Sequence, residues 1–531
     1  MFGKITRKLR AWRQKQKQPA GGLPLGNRSS SGQQISLDLT VNLQRVKTVF
    51  SQSSDIVFRE FNIGVGQQSR AFIVYMDGLV DKTLLYNCLL KPLMYDARLA
   101  TTNPGAAGKN TPELIRETIL AVGVLEETAD LDQAVAAVLS GSTALFVDRH
   151  GAVFLVGTRG WEARGIEKPD VETVVRGPRE AFTETLRINT SMVRRKIKNP
   201  DLKIEAMKIG RQTRTDVAVV YLKGIVNDRI VAEVRERLKR IDIDGVLESG
   251  YLEAYIEDAP LSPFATVGNT EKPDVVAAKL LEGRVAILVD GTPFALTVPY
   301  LFVESLQAAE DYYSRSIYVT MIRWLRWVAF FLAVISPAIY VILVAFHQEL
   351  LPTSLYLTIA ADREGLPFPA VLEALSMGIM FEILREAGVR LPRAVGQAIS
   401  IVGAMIIGEM AIRAGLIGSM MVIIVAVTAI SGFVVPALSD AMAIMRLVLL
   451  LLGGTMGQFG LIVGLLGFLL HLASLRSFGV PYLSPLAPLT FQDLKDVAIR
   501  APWWAMRQRP RLIGRQNPVR QQPGQKPGPP D

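Results

Sequence analysis

Residues 55–80 read DIVFREFNIGVGQQSRAFIVYMDGLV, and residues 201–226 read DLKIEAMKIGRQTRTDVAVVYLKGIV. The two stretches align without a gap, and the matching positions include Tyr75 and Tyr221. Each stretch contains an apolar run rich in β-branched or aromatic residues, AFIVY and VAVVY, which is typical of a buried strand. The sequence therefore contains the same strand-forming segment twice.

A second repeated pair lies downstream of the first. Residues 134–148 (AVAAVLSGSTALFVD) match residues 276–290 (VAAKLLEGRVAILVD) without a gap. Both have a helical apolar stretch, a glycine and a strand that ends at Val-Asp before a hairpin turn. Two matching pairs in the same order predict an internal duplication, with one α/β subdomain over residues 36–175 and a second over residues 176–310.

The sequence offers little support for an enzyme. It has no G-x-x-x-x-G-K-[ST] phosphate loop, no H-E-x-x-H and no G-x-S-x-G, and GVGQQS at residues 64–69 is an incomplete G-x-G-x-x-G. One cysteine and three histidines make a structural zinc site implausible. We therefore predict no catalytic residues, no cofactor and no metal site.

Long apolar runs are concentrated after the duplicated region. Runs of about 20 apolar residues can cross a bilayer, and Arg323, Trp324, Arg326 and Trp327 precede the first run, as expected at a cytosolic interface. The sequence predicts an all-α polytopic transmembrane domain over residues 311–480. The predicted spans are residues 328–346, 394–412, 419–438 and 447–473.

Residues 367–390 form an amphipathic segment between the first and second spans. The N-terminus lacks the apolar core of a secretory signal, so the α/β subdomains are expected in the cytosol. The arginine-rich C-terminus is expected there too, which requires an even number of crossings. Four spans, with 367–390 as an interfacial or re-entrant helix, satisfy this requirement.

Several charged residues lie within or beside the apolar runs. A charge that faces lipid at the bilayer centre costs at least ~2.5 kcal/mol, so such residues usually face protein or water. Glu409 and Arg413 are four residues apart and can pair on one helix face. They are either a structural pair near the membrane surface or part of a pore. The candidate pore or gating residues are Glu373, Glu382, Arg385, Glu409, Arg413, Asp440 and Arg446.

Small residues in the last predicted span recur at helical spacing. Five glycines follow one another at intervals of four and three residues, which would place them along one stripe where another backbone can approach closely. The stripe predicts tight helix packing, either within one subunit or between subunits. The glycines are Gly453, Gly457, Gly460, Gly464 and Gly467.

Both ends of the chain are basic, and they supply much of the net charge of +10. Residues 1–35 are predicted to form a disordered basic arm, and residues 481–531 a basic, proline-rich cytosolic tail, of which the part after Pro502 is expected to be disordered. Such tails are either simply solvated or attracted to anionic lipid headgroups. No recognisable nucleic-acid-binding fold accompanies the charge, so nucleic acid is not expected as a partner.

Residues 351–405, LPTSLYLTIAADREGLPFPAVLEALSMGIMFEILREAGVRLPRAVGQAISIVGAM, closely resemble the A subunit of germinant receptors in the GerA spore germination family. Residues 174–204, 241–258, 282–299 and 310–315 resemble it as well. These blocks are long and specific, in contrast to a short motif. The basic arm and the proline-rich tail lie outside the resemblance.

The resemblance implies a protein of the inner membrane of bacterial endospores. It implies two partners, a transporter-like B subunit that binds the nutrient and a lipoprotein C subunit. It also implies a homo-oligomer, embedded in membrane lipid, that releases monovalent cations. Glu409 departs from the usual family pattern, which has an amide at this position, so the electrostatics of a pore need not carry over.

The prediction from the sequence is a multi-domain membrane protein that acts as a germinant receptor A subunit. It would form an oligomeric ion-conducting channel that is gated by its partner subunits. The alternatives are an accessory channel-like protein of the stage V sporulation AF type and a non-conducting membrane scaffold of the germination complex. A stand-alone secondary transporter is disfavoured because the membrane region shows no inverted repeat. The germinant and the number of subunits stay open.

Overall fold

The structure is a computed structural model of the 531-residue chain. Most of the predicted basic arm and most of the predicted span over 394–412 lie outside the residues that it describes. The described part consists of two α/β units, a helical region and a C-terminal segment. The structure describes residues 34–63, 69–96, 125–160, 169, 172–390, 408–514 and 516–528.

The first α/β unit contains one five-stranded sheet with the order β1-β2-β4-β5-β3, and every strand pair in it is antiparallel. The helix α2 continues into further helical turns, Tyr86–Leu90 and Pro92–Asp96. The elements are α1 (Leu39–Val49), β1 (Ile56–Ile63), β2 (Ser69–Met76), α2 (Lys82–Leu85), β3 (Leu125–Thr128), α3 (Leu131–Leu139), β4 (Thr143–Val147) and β5 (Val153–Val156).

The second unit has a five-stranded antiparallel sheet with the order β6-β7-β9-β10-β8. This order repeats that of the first unit strand for strand. The elements are α4 (Leu186–Lys196), β6 (Leu202–Ile209), β7 (Thr215–Leu222), α5 (Asp228–Arg240), α6 (Ser249–Ile256), β8 (Gly268–Thr270), α7 (Pro273–Glu282), β9 (Val285–Val289) and β10 (Ala295–Val298).

The two repeated sequence stretches form equivalent hairpins. Ile56 lies opposite Met76 in the first unit, and Leu202 lies opposite Leu222 in the second. Successive strand side chains point to opposite faces, so a strand that is apolar throughout needs cover on both faces. In β7 the alternation places Val217 and Val219 in one core and Ala218 in the other. Helices therefore cover both faces of each sheet, and the α/β prediction for this part of the chain is confirmed.

The C-terminal half is helical, as predicted. Two described helices are long and apolar enough to cross a bilayer by length and composition, Ser316–Ala345 and Pro436–Ser474. A short helical stretch also covers residues 408–413. The elements are α8 (Ser316–Ala345), α9 (Thr353–Arg363), α10 (Ala370–Arg390), α11 (Ser419–Phe433) and α12 (Ser439–Ser474).

The last helix reverses direction in its middle. Gly457 has φ 59° and ψ −142°, which lies outside the helical region and strongly favours glycine. A Cβ added at Gly464 would lie 2.6 Å from Leu449, although a straight helix would separate them by roughly 22 Å. The prediction of one span over 447–473 is therefore wrong. α12 is a hairpin of two arms, residues 439–456 and 458–474.

One end of the helical region touches the second α/β unit, and we call it the near end. Leu438 and Leu475, from the two ends of α12, pack there with Phe302 of the turn that follows the second sheet. The tip of the hairpin lies at the opposite, far end, because a Cβ at Gly457 would lie 3.1 Å from Phe346 at the end of α8. α8 and both arms of α12 thus run between the two ends.

The predicted amphipathic segment over 367–390 becomes α10, which runs along the bundle instead of across one end of it. At the far end, a Cβ added at Gly454 would lie 2.6 Å from Val371. Further along, Phe381 lies 6.1 Å from Phe433 of α11, centroid to centroid. α10 therefore runs from the far end toward the near end, in the same direction as α11.

The prediction of disorder after Pro502 is wrong for the described residues around Arg509 and Ile513, which are buried. After the two-stranded hairpin of β11 (Arg476–Ser477) and β12 (Val480–Pro481), the chain packs back on the second unit. Val497 and Ile513 are buried in the core that the second sheet shares with α5 and α6. Arg509 Nε donates a hydrogen bond to the carbonyl oxygen of Leu281 at 2.8 Å.

Candidate functional site

A buried ion cluster joins the helical region to the rest of the chain. Arg323, only 1% exposed, lies on α8 and donates from Nε to Asp311 at 3.0 Å. Its Nη1 contacts Asp496 of the C-terminal segment at 3.0 Å. Arg326 also donates to Asp311, at 2.8 Å, and Tyr312 donates to Asp496 at 2.9 Å. Arg323 was predicted at a membrane interface, but the fold encloses it in protein.

A half-open groove runs along one side of the helical bundle. It has a volume of about 710 Å³, and its wall is mostly apolar. Helices α8, α10, α11 and the first arm of α12 contribute to it. Its lining includes Pro337, Phe381, Glu382, Arg390, Thr428 and Arg446.

Two of the predicted site residues, Glu382 and Arg446, line this groove, and a third, Arg385, pairs with Glu382. Glu382 of α10 contacts Arg446 of α12 at 2.5 Å and Arg385, one turn along α10, at 2.7 Å. The side chain of Arg446 is 15% exposed, whereas those of Glu382 and Arg385 are about one-third exposed. The pair Glu382–Arg446 therefore joins two helices while part of its charge opens toward the groove.

Glu373 occupies a different site, at the far end of the bundle. Its side chain is fully buried and lies 3.0 Å from Arg363 of α9. Its second carboxylate oxygen accepts a hydrogen bond from the backbone of Gly418 at 3.3 Å, next to the start of α11. Asp362 accepts from the backbone of Ser419 at 2.8 Å. Two carboxylates thus hold the first turn of α11, where backbone N–H groups lack partners within the helix.

Glu409 and Arg413 form the predicted pair within one helical stretch, with 2.6 Å between Arg413 Nη2 and Glu409 Oε1. Both side chains are largely exposed, and they lie toward the far end, since Gly408 approaches Val422. Asp440 is exposed in the first turn of α12, where a negative charge is favourable beside the helix N-terminus. The structure does not bring Glu409, Glu373 and Glu382 into one site.

Four of the five predicted packing glycines make close contacts within this chain. Added Cβ atoms at Gly453, Gly457 and Gly464 would lie near α8 or the other arm of α12, and one at Gly460 would collide with the carbonyl oxygen of Leu452. Nothing lies within 4 Å of the Cβ position at Gly467. The small residues therefore permit the hairpin to close, instead of lining a single straight helix.

Sequence reasoning missed the partners of these charges. Asp311 and Asp496 lie 185 residues apart and meet only through Arg323. Arg363 and Glu373 are separated by a turn, so helical spacing gave no signal for their pairing. Within the described residues, no group of three or more histidine, cysteine or acidic side chains is placed to hold a metal ion.

The fold and these sites define a class of protein. Its members have two α/β units of equal strand order, joined by buried ion pairs to a helical region with candidate membrane-spanning helices. The chain belongs to the GerA spore germination family. The family described as "Bacillus/Clostridium GerA spore germination protein" matches residues 44–512. The resemblance predicted from the sequence is confirmed.

Two relatives show the range of the family. The chain is 46% identical over 497 residues to "Spore germination protein KA" of Bacillus subtilis (strain 168), covering 93% of this chain and 90% of the relative. It is 30% identical over 453 residues to "Stage V sporulation protein AF" of the same organism, covering 85% of this chain and 90% of the relative. Stage V sporulation protein AF is thus a more distant relative than protein KA.

One solved structure is also similar to this chain. It is the crystal structure of the N-terminal domain of the A subunit of the Bacillus megaterium spore germinant receptor GerK3. The two chains are 44% identical, with a TM-score of 0.40, and the match covers 51% of this chain and 97% of the crystallised one.

Proposed function

We propose that this protein is the A subunit of a spore germinant receptor and takes part in nutrient-triggered germination. It acts in the spore inner membrane as one copy of an oligomeric ion-conducting channel. Membership of the GerA family supports the role in germination. The single observation that supports conduction is the charged wall of the groove beside α10.

The argument for the channel starts from the cost of exposed charge in lipid. Glu382 and Arg385 are about one-third exposed on the side of a bundle that also exposes many large apolar side chains. Hydrocarbon does not solvate such groups, so they belong beside protein or water. A second copy that covers the groove would meet this need and leave a polar path between copies. Monovalent cations such as K⁺ and Na⁺ are the proposed permeants.

The directions of the described helices support a proposed membrane topology. α8 and the first arm of α12 lead away from the α/β units, whereas α10, α11 and the second arm of α12 return. α10 and α11 run the same way, and residues 394–412, which are predicted from the sequence as a span, would supply the outward crossing between them. Six crossings result, instead of the four spans expected at first. An even number keeps the α/β units and the C-terminal segment on one side, which we assign to the cytosol.

Gating requires contact with partners, which we take to be a transporter-like B subunit and a lipoprotein C subunit. The Arg323 cluster is the proposed route by which movement of the α/β units reaches α8. It contacts α8, the turn before α8 and the C-terminal segment together. A shift in any one of these elements changes the contacts of the others, so the cluster can bias two arrangements of the helices.

The test is ion flux through the purified protein in liposomes, measured for K⁺ and Na⁺ with and without the partner subunits. Glu382→Gln removes the charge that holds both arginines and is expected to change flux or selectivity severalfold, because the pair faces the proposed path. Glu236→Gln, at an exposed carboxylate of α5 outside the helical region, is the control. An absence of flux in every preparation, with and without partners, would contradict conduction.

Glu409 is a second test position. Glu409→Gln leaves Arg413 without its partner on an exposed helix face, so folding should be unaffected. If the far end forms a mouth of the pore, selectivity or gating should change. If flux and spore germination both stay the same, the pair is only structural.

The likeness to stage V sporulation protein AF favours one alternative, an accessory sporulation protein. A non-conducting membrane scaffold is the other alternative. Loss of nutrient-triggered germination in a deletion strain, with restoration by the intact chain, supports the receptor subunit. A strain that still responds to every nutrient supports the accessory function.

A further inference from the structure

The exposed side of α6 combines aromatic and acidic side chains. Tyr251 and Tyr255, 46% and 51% exposed, are four residues apart and lie along one flank of this helix. Glu253 and Glu257 have the same spacing and lie along the other flank. Ala254 lies between the two flanks and is exposed. A small residue between two rows of larger ones allows another helix to approach closely. We call this surface the α6 face.

The stretch of chain that contains the acidic flank has no basic residue of its own. Residues 241–258 carry six acidic residues and no basic one. Arg237, on the neighbouring helix α5, is already bound to Asp258 at 2.7 Å and to Glu233 at 2.8 Å. Burial, reinforced by the charges of Glu257 and Glu248, raises the pKa of Glu253 to about 7. A lysine or arginine placed beside Glu253 would relieve this repulsion.

The chain itself carries a segment of the opposite charge. Residues 1–17 contain seven lysines and arginines and no acidic residue. Phe2, Ile5, Leu9 and Trp12 have the spacing of one helix face, so a helix formed here would be both basic and amphipathic. The 16 residues that connect this segment to Gln34 have a root-mean-square reach of roughly 22 Å and a limit near 50 Å.

We propose that the α6 face is a docking site for the basic segment, residues 1–17, of the same chain. The apolar row of the segment lies against Tyr251 and Tyr255, and its lysines and arginines lie against Glu253 and Glu257. Tyrosine rings also attract cations directly, which adds to the contact. The site ties the N-terminus to the second α/β unit, and it does not depend on whether the protein conducts ions.

The test is crosslinking in the full-length protein in detergent micelles. Cys88 is the only cysteine, so Cys88→Ala gives a clean background. Leu9→Cys and Ala254→Cys are then joined with a short bismaleimide. The control pairs Leu9→Cys with Asp132→Cys, an exposed position on the first unit. Crosslinking at position 254 is expected to exceed the control by about fivefold. A linked dimer would place the segment on a second copy and would overturn docking within one chain.

Charge dependence separates docking from chance encounter. Glu253→Gln with Glu257→Gln should lower the yield by about threefold, whereas Glu236→Gln, an exposed carboxylate on α5, should not. Equal yields at positions 254 and 132, or a yield insensitive to Glu253 and Glu257, would overturn the proposal. Loss of the crosslink in anionic vesicles, but not in zwitterionic ones, would also overturn it, because the segment would then prefer the membrane surface.

Discussion

The two α/β units have the same strand order, yet among the described residues it is the second that makes the buried contacts joining the helices and the C-terminal segment. The difference is concentrated where the second unit meets these elements. Arg284, at the start of β9, is buried and contacts Glu304 of the turn before α8 at 2.5 Å. The corresponding position in the first unit is Ser142. The two units share one strand order, and charged side chains on the second connect it to the helices.

The hairpins of the two units also differ in their polar side-chain contacts. Tyr221 of β7 donates to Glu205 at 2.6 Å, and Glu205 is held by Arg235 at 2.7 Å. In the first unit, Arg59 stands at the position of Glu205, so Tyr75 lacks this acceptor. Equal folds therefore carry unequal polar networks. The following substitutions should affect the second unit and its helices more than the first unit.

The largest effect is expected from Arg323→Ala. It leaves Asp311 buried with one partner fewer, and loss of one member of a buried ion pair costs about 3–5 kcal/mol. Unfolding of the full chain in urea and detergent, followed by pulse proteolysis, measures the change. Arg211→Ala, which breaks an exposed pair with Asp242, is the control and should leave stability unchanged. Equal behaviour of the two variants would show that the cluster does not join the regions.

Ile513→Ala should destabilise the second unit by about 2–5 kcal/mol, because it leaves a cavity in the core below α5 and α6. The first unit should keep its stability, which fragment-specific proteolysis can report. Leu512→Ala, at the neighbouring and partly exposed position, is the matched control. If the control has the same effect, the C-terminal segment does not insert one side chain into this core.

Gly457→Ala should cost about 1–3 kcal/mol, since alanine does not readily adopt the backbone conformation of the α12 turn. Gly467→Ala changes a helical glycine with open space around it and should be neutral or stabilising by up to about 1 kcal/mol. Thermal unfolding of both variants in detergent compares them. A stabilising Gly457→Ala would indicate one continuous helix and would contradict the reversal of α12.

The smallest effect is expected from Tyr221→Phe. Loss of its hydroxyl should cost about 1 kcal/mol, the typical contribution of one hydrogen bond, with somewhat more if Glu205 is charged. Tyr75→Phe at the corresponding position of the first unit should cost less. Urea midpoints of the two variants are compared with that of the unchanged chain. A larger loss of stability from the substitution at position 75 would contradict the prediction that the second unit has the stronger polar network.

Much of the α/β architecture could be predicted because its signal is local. The repeated strands are apolar runs of β-branched residues, and the two pairs recur in the same order. Helix reversal was harder to predict. The glycines of α12 fit a straight stripe, and their spacing alone does not reveal that Gly457 leaves the helical conformation. Whether such a glycine turns or continues depends on what packs against both arms.

The ion pairs of the candidate site also fall into those that the sequence predicts and those that it does not. Glu409 and Arg413 could be paired from the sequence because four residues make one helical turn. Glu382 and Arg446 are 64 residues apart, and Asp311 and Asp496 are 185 apart, so no periodicity relates them. The tail was misjudged for a similar reason. Its composition is that of a disordered segment, yet Ile513 finds an apolar core on a distant unit.

By itself the sequence determined the repeated strands, the apolar character of the second half and membership of the GerA family, since each depends on residue order alone. Only the tertiary structure decided which charges meet, where α12 turns and that the C-terminal segment returns to the second unit. Contacts between residues distant in sequence depend on the packing of whole elements, which local spacing does not encode. That packing is what makes one of two duplicated units the connector to the helices.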